Sequence, residues 1–254
     1  MTVSIQLYSM RDYSDQIALL KKLSAIGITQ VEGYGGVYDD PKAYRAAMDA
    51  NGISMPSGHM GLNEVEGNFE ATLNIAKTLG IVCIIAPYIE EQDRPDTSSG
   101  YTELAHRLNT AAKRYAEHGI SFGWHNHDFE FVSLADGGVP MDILLEEAPD
   151  ISWEADLAWV VRGKRDPFEY IQRYGSRLCA IHVKDIAKSG TNMDEDGWSD
   201  LGAGVLDWAA LLQACRTQST DLIYALEHDK PNDPVGYATR SAVAFKNLWE
   251  STHG

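Results

Sequence analysis

Two histidines and two acids crowd into six residues of the run Phe122-Gly-Trp124-His125-Asn126-His127-Asp128-Phe129-Glu130-Phe131. The stretch before them, 120–124, reads as an apolar strand. Polar groups gathered where a buried strand ends cost free energy unless something uses them. Metal ligation, proton transfer and substrate binding are the uses these residue types serve. A hydrogen-bonded surface turn is the plain alternative for this segment taken alone. The pattern recurs, however. Of eight histidines, five (His59, His125, His127, His182 and His228) close apolar runs. The acids Glu32, Asp156 and Glu227 close others. Asp156, His182 and Glu227 end three late runs, so they can converge on one point. Two carboxylates and an imidazole suit Mn²⁺, Mg²⁺, Co²⁺ or Zn²⁺. Pairing of Asp156 with a nearby Lys or Arg is the competing reading. Glu154, two residues before Asp156, shares its face but lies deeper.

These residues need a frame that brings strand ends together. Short apolar runs at 3–8, 28–33, 53–59, 81–88, 120–127, 151–158, 178–184 and 221–227 read as strands. Amphipathic segments at 13–26, 41–50, 68–79, 100–118, 140–148, 166–174, 207–217 and 234–250 read as helices. Gly27, Gly52, Gly80 and Gly119 stand where helices should stop. Asp-Pro at 166–167 and at 233–234 reads as a capped helix start. Eight strand–helix units in 254 residues match a single (β/α)8 TIM barrel over 1–254, whose active sites sit at the C-terminal ends of the strands. A doubly wound sheet would more often carry a glycine-rich loop after its first strand. Here that strand runs into Tyr8-Ser-Met-Arg11-Asp12, with no glycine. The irregular stretch 187–203 reads as a lid or insertion. His106 and His118 fall on a solvated helix, and His253 falls in the tail.

Composition removes several function classes. The formal charge is −16, which weighs against a nucleic-acid partner. No apolar run approaches the length of a membrane span, and the N-terminus does not read as a signal peptide. Three scattered cysteines suggest no disulfide framework, so a reducing, cytoplasmic setting is expected. Cys83 and Cys179 read as core. A homo-oligomer is compatible with all of this.

In order along the chain stand His125-Asn-His-Asp-Phe-Glu-Phe131, Asp156-Leu-Ala-Trp159-Val, His182-Val-Lys184-Asp185, Gly202-Ala-Gly-Val-Leu-Asp207-Trp208 and Glu227-His-Asp229. Together with Ile5-Gln-Leu-Tyr-Ser-Met-Arg11, this set resembles the sugar phosphate isomerase/epimerase branch of the xylose isomerase-like TIM barrels, over nearly the whole chain. The resemblance implies one divalent metal, Mn²⁺ first, held by a Glu on strand five, an Asp on strand six, a His on strand seven and a Glu on strand eight. The last three match Asp156, His182 and Glu227. The first does not match cleanly, because the family's interval back from the Asp lands on His125. Either His125 replaces the glutamate or the chain turns so that Glu130 reaches the metal. The expectation adopted is Glu130 as ligand and His125 as acid/base or substrate contact. Trp124 also departs from the tyrosine common in this branch.

The implied activity is isomerisation or epimerisation of a keto-sugar through an enediolate, with Glu227 and His125 moving the proton. Glu32, His59, His127, Trp159 and Lys184 are expected to contact substrate. Trp159 and Trp124 would wall the sugar ring, although Trp159 as core and Lys184 as a salt-bridge partner are equally good readings. Asp207-Trp208 reads as cap and packing for its helix. The lack of a glycine-rich phosphate cradle favours a free or oxidised sugar. Elimination beside a ketone, as in inosose dehydratases or 3-keto-glycoside enzymes, is the main alternative. Phosphodiester cleavage and a non-catalytic sugar-binding barrel are remoter ones.

Overall fold

The computed structural model describes residues 2–252, so His253 lies outside the described residues. Its strands in chain order are β1 (Ser4–Gln6), β2 (Gln30–Gly33), β3 (Ser54–His59), β4 (Cys83–Ala86), β5 (Ser121–His125), β6 (Ser152–Asp156), β7 (Leu178–Val183), β8 (Asp185–Ile186), β9 (Trp198–Ser199) and β10 (Ile223–Leu226). β1 to β7 and β10 pair in parallel and close on themselves, making the (β/α)8 TIM barrel read from the sequence. β8 and β9 pair antiparallel as a small ribbon above β7.

Around the barrel lie α1 (Gln16–Ala25), α2 (Pro41–Ala50), α3 (Leu62–Gly67), α4 (Phe69–Leu79), α5 (Ser98–Ala116), α6 (Pro140–Glu147), α7 (Leu157–Arg162), α8 (Pro167–Tyr174), α9 (Trp208–Gln218) and α10 (Pro234–Ser251). Their ends follow the local chemistry of the chain. Asp15, Asp40, Asp166, Asp207 and Asp233 each accept a backbone N–H of the first helical turn. Gly27, Gly52, Gly80 and Gly119 adopt φ of +86°, +65°, +83° and +73°, the left-handed geometry that ends a helix with little steric cost in glycine.

Three local departures from the sequence reading matter for the site. β1 stops at Gln6, because residues Leu7–Met10 coil into a 3-10 turn whose first free N–H, on Tyr8, is taken by the Gln6 side chain. The short helix α7 starts directly after β6, with the Asp156 carboxylate accepting Trp159 N–H at 2.9 Å. The stretch 187–203 is tied down rather than free. Its ribbon is pinned by Asp185, whose carboxylate accepts N–H groups from Ile186, Gly202, Gly204 and Leu206. A Cβ at position 204 would sit 2.1 Å from the Asp185 oxygen, so this close approach needs glycine.

Candidate metal and substrate site

The parallel register sorts the polar side chains inside the barrel into levels. Gln6, Glu32 and Ser57 lie side by side on β1, β2 and β3. His125 pairs with Glu154 across β5 and β6, and Asp156 pairs with His182 across β6 and β7. Side chains two apart on a strand share a face, so Glu154 points inward one level below Asp156. Glu32, Glu154, Asp156 and His182 are completely buried; His125 and Glu227 are nearly so.

Two four-donor groups result, with ligand atoms in each lying within 4.8 Å of one another. One joins His125, Asp156, His182 and Glu227; the other joins His59, His125, Glu154 and His182. In the first, His182 Nδ1 lies 2.9 Å from Glu227 Oε2. Asp156 Oδ2 has no hydrogen-bond partner although it is sealed from solvent. In the second, Glu154 Oε2 lies 2.6 Å from His59 Nε2, 3.2 Å from His125 Nδ1 and 3.2 Å from His182 Nε2. The contact with His125 is out of line for a hydrogen bond. Glu32 accepts from Gln6 Nε2 at 2.8 Å and from Ser57, and meets His182 Nε2 at 2.6 Å.

Charge in this core is unbalanced. Lys184, itself buried, is the fixed cation, with its ammonium 2.6 Å from Asp229, 3.1 Å from Glu227 and 3.5 Å from Asp156. Burial disfavours its charge, but these carboxylates raise its pKa overall. Burial would likewise strip the proton from His182, yet Glu154, Glu227 and Glu32 outweigh it and hold His182 protonated well above the usual histidine range. His125 goes the other way. Burial and the charge on His182 lower it to about 4, so it is a neutral imidazole. Burial also raises Asp156 to about 7. A core with this many acids around one lysine gathers protons; a divalent cation would answer the same excess of negative charge. The Asp156 oxygen, ion-paired with Lys184 but without a hydrogen bond, and a neutral imidazole are fitting donors for one.

A cleft of about 680 Å³ opens above this core. His59, His125, His127, Trp159 and Glu227 line it, as does Asp229. Tyr8, Tyr34, Tyr88 and Phe129 form an aromatic collar at its mouth, with Arg11 stacked on Tyr8 and Arg94 on Phe129. Tyr8 and Phe129 fall in stretches that resemble the family, but nothing in the sequence marks the four aromatics as one collar, because they come from four separate loops.

Several expected site residues stand elsewhere. Glu130 is in neither four-donor group. Residues Phe129–Phe131 form a 3-10 turn that folds it back, where it accepts from Trp124 Nε1 at 3.1 Å and from His127 N at 2.9 Å. Burial there pushes its pKa up to about 8. His125 occupies the fifth-strand position instead. Trp124 does not wall the cleft: it alternates with His125 and faces the opposite side of β5, fully buried. Glu32 lies beneath His182, out of reach of the cleft. Lys184 meets carboxylates and also stays off the cleft wall. His228 also stays off the cleft wall, and its ring Nδ1 accepts Lys230 N–H at 3.1 Å.

A buried core of acids and histidines at the C-terminal mouth of a (β/α)8 barrel defines a class of protein, and comparison with known proteins narrows it. The chain belongs to the xylose isomerase-like TIM barrel family, whose model matches residues 20–247. Among curated proteins none matches it significantly in sequence. Solved structures do match in fold. A sugar phosphate isomerase/epimerase from Parabacteroides distasonis is 21% identical, with a TM-score of 0.78 over 95% of this chain and 92% of that one. The IolI protein, solved with a bound zinc atom, is 12% identical with a TM-score of 0.80 over 99% of both chains. A probable 3-DHS dehydratase, AsbF from Bacillus anthracis, is 14% identical with a TM-score of 0.76 over 97% of this chain and 99% of that one. Among the described residues no helix is long and apolar enough to cross a membrane.

Proposed function

We propose that this protein is a divalent-metal-dependent isomerase or epimerase of a keto-sugar, with His125, Asp156, His182 and Glu227 as the metal ligands. The observation that carries this reading is their convergence within 4.8 Å at the cleft floor, where the sealed Asp156 Oδ2 has no hydrogen bond and only a 3.5 Å ion pair with Lys184 among the described residues. Zinc in the IolI protein lends support to a metal in this fold. The bound ion, Mn²⁺ or a similar cation, would supply positive charge to a substrate carbonyl and make the neighbouring proton easier to remove.

The chain's own residues do the rest. Glu227 reaches the cleft and moves the proton; Lys184, 3.1 Å away, holds that carboxylate in place. His59 and His127 offer ring nitrogens to sugar hydroxyls, and Trp159 offers a flat apolar wall, its ring 5.4 Å from that of His127. The cleft's walls limit water at the point of proton transfer. The cleft is ample for a monosaccharide or a glycoside, and no glycine-rich phosphate cradle lines it.

One observation favours a second outcome, elimination. His127 has an Nδ1 without a hydrogen bond beside the cleft, and burial, with the His125 ring and the Lys184 ammonium nearby, keeps its pKa well below the usual histidine value. A neutral imidazole could pass its Nε2–H proton to a departing oxygen while its Nδ1 takes up a proton from water in the cleft. AsbF shows that a probable dehydratase shares the fold. The deciding experiment is incubation of the metal-loaded protein with keto-sugars in deuterated water, followed by NMR. Isomerase or epimerase action puts solvent deuterium into a recovered sugar isomer. Elimination gives an unsaturated product or a freed aglycone. If neither chemistry appears, or EDTA changes nothing, the proposal fails.

A further inference from the structure

We propose that Glu154 is a positioning residue that fixes the ring orientation and tautomer of two metal-ligating histidines. The inference rests on the ligand set proposed above. A neutral imidazole binds a metal through one nitrogen and keeps its proton on the other, and a carboxylate behind that second nitrogen decides which is which. The geometry brings one carboxylate oxygen within ion-pair distance of both second nitrogens, while its aligned hydrogen bond goes to His59. Glu154 Oε2 lies 3.2 Å from His182 Nε2, on the side away from Glu227, and 3.2 Å from His125 Nδ1. The same oxygen also meets His59 Nε2 at 2.6 Å. The assignment that follows is Nδ1 of His182 and Nε2 of His125 toward the metal, with protons on the opposite nitrogens.

The neighbouring acid cannot do this work alone. Glu32 is the nearer partner of His182 Nε2, at 2.6 Å, but its oxygens are also engaged by Gln6 and Ser57, and no ion pair joins it to His125 among the described residues. Glu154 itself is fully buried and does not line the cleft, so it does not contact substrate. Its desolvation is offset only by the three rings it faces. Position adds to the argument. Glu154 and Asp156 stand two apart on β6, so one strand carries both a ligand and the group that aims two others. The ring centroids of His59, His125 and His182 lie 4.5 to 5.4 Å apart, so one ring cannot turn without disturbing the next.

The test uses the full-length protein with Co²⁺ as the probe, and compares wild type with Glu154→Gln. The wild type is expected to bind one Co²⁺ per chain. The variant should still fold, judged by circular dichroism, and bind Co²⁺ about 10- to 100-fold more weakly. Its visible Co²⁺ spectrum should shift, because the ligand rings are no longer aimed. Should the variant fail to fold, ¹⁵N NMR of the Zn²⁺-loaded wild type answers the question without it. His125 must carry its proton on Nδ1 and His182 on Nε2. The opposite tautomers overturn the inference. So does unchanged Co²⁺ affinity with an unchanged spectrum. Two Co²⁺ per wild-type chain with one lost in the variant also overturns it, since Glu154 would then be a ligand. A wild type that binds no Co²⁺ or Zn²⁺ sinks the metal assignment itself, and this inference with it.

Discussion

Replacing Glu130 with glutamine separates two roles that the sequence allowed for it. In the structure its carboxylate is buried, and accepts Trp124 Nε1 at 3.1 Å and His127 N at 2.9 Å. Burial raises its pKa from 4.5 to about 8, against the hydrogen bonds and the more distant Arg94, which favour the charged form. The folded state therefore holds this proton more tightly than the unfolded state does. The resulting stabilisation is complete below pH 4.5 and is lost as the pH rises through about 8. One proton's difference is worth about 1.4 kcal/mol per pH unit. Between about pH 5.5 and 8 the wild type should lose about 3 kcal/mol relative to a variant that cannot titrate there.

Glu130→Gln is such a variant. Its amide can satisfy only one of the two donors with oxygen, so at low pH it should be less stable by about 1–3 kcal/mol. That deficit should shrink as the pH rises, and the two stability curves should meet or cross near pH 8. Urea unfolding of both proteins in EDTA, followed by tryptophan fluorescence, measures the difference while the other titrating groups cancel. Parallel curves from pH 5.5 to 8 would refute the burial argument. The same variant should keep its Mn²⁺, measured by metal analysis after dialysis, whereas His125→Ala should lose it. Loss of metal from Glu130→Gln with retention in His125→Ala would return Glu130 to the ligand set.

Three further outcomes follow from the site. Asp156→Asn keeps an N-cap for α7, so its stability without metal should change by under about 1 kcal/mol, while metal binding and turnover should fall to background; calorimetric titration with Mn²⁺ checks this. Mn²⁺ at about 100 times its dissociation constant should stabilise the wild type by about 2.7 kcal/mol, read as a rise in Tm that EDTA abolishes, and a Tm indifferent to both would contradict the ligand assignment. Lys184→Met leaves Asp229, Glu227 and Asp156 without their shared cation, so the metal-free variant should lose about 3–5 kcal/mol in urea unfolding. Added Mn²⁺ should recover a larger share of stability in that variant than in the wild type.

The parts of this site that are visible in the sequence are those set by strand ends. A closed barrel brings eight C-terminal strand ends to one mouth, so polar residues there, such as Asp156, His182 and Glu227, must meet whatever the details of the loops. Helix ends were legible for a similar reason: an aspartate before a proline and a glycine after an amphipathic run act within one turn. The errors fall where the chain leaves the strand. Counting residues places Glu130 near His125 but does not say which way the turn folds. Trp124 held the missing clue. Alternation on β5 sends Trp124 and His125 to opposite faces, and a buried indole N–H needs an acceptor on its own side. The nearest following glutamate therefore had a stronger claim on it than the metal did. Glu154 is hard to read from sequence for the reverse reason. It sits one level too deep to touch substrate, so nothing in its spacing marks it as reactive. Yet burying a carboxylate completely is costly. Glu154 sits across from His125 and one level below Asp156, and in the proposal above that cost has a structural use, which is to hold the histidine rings in place.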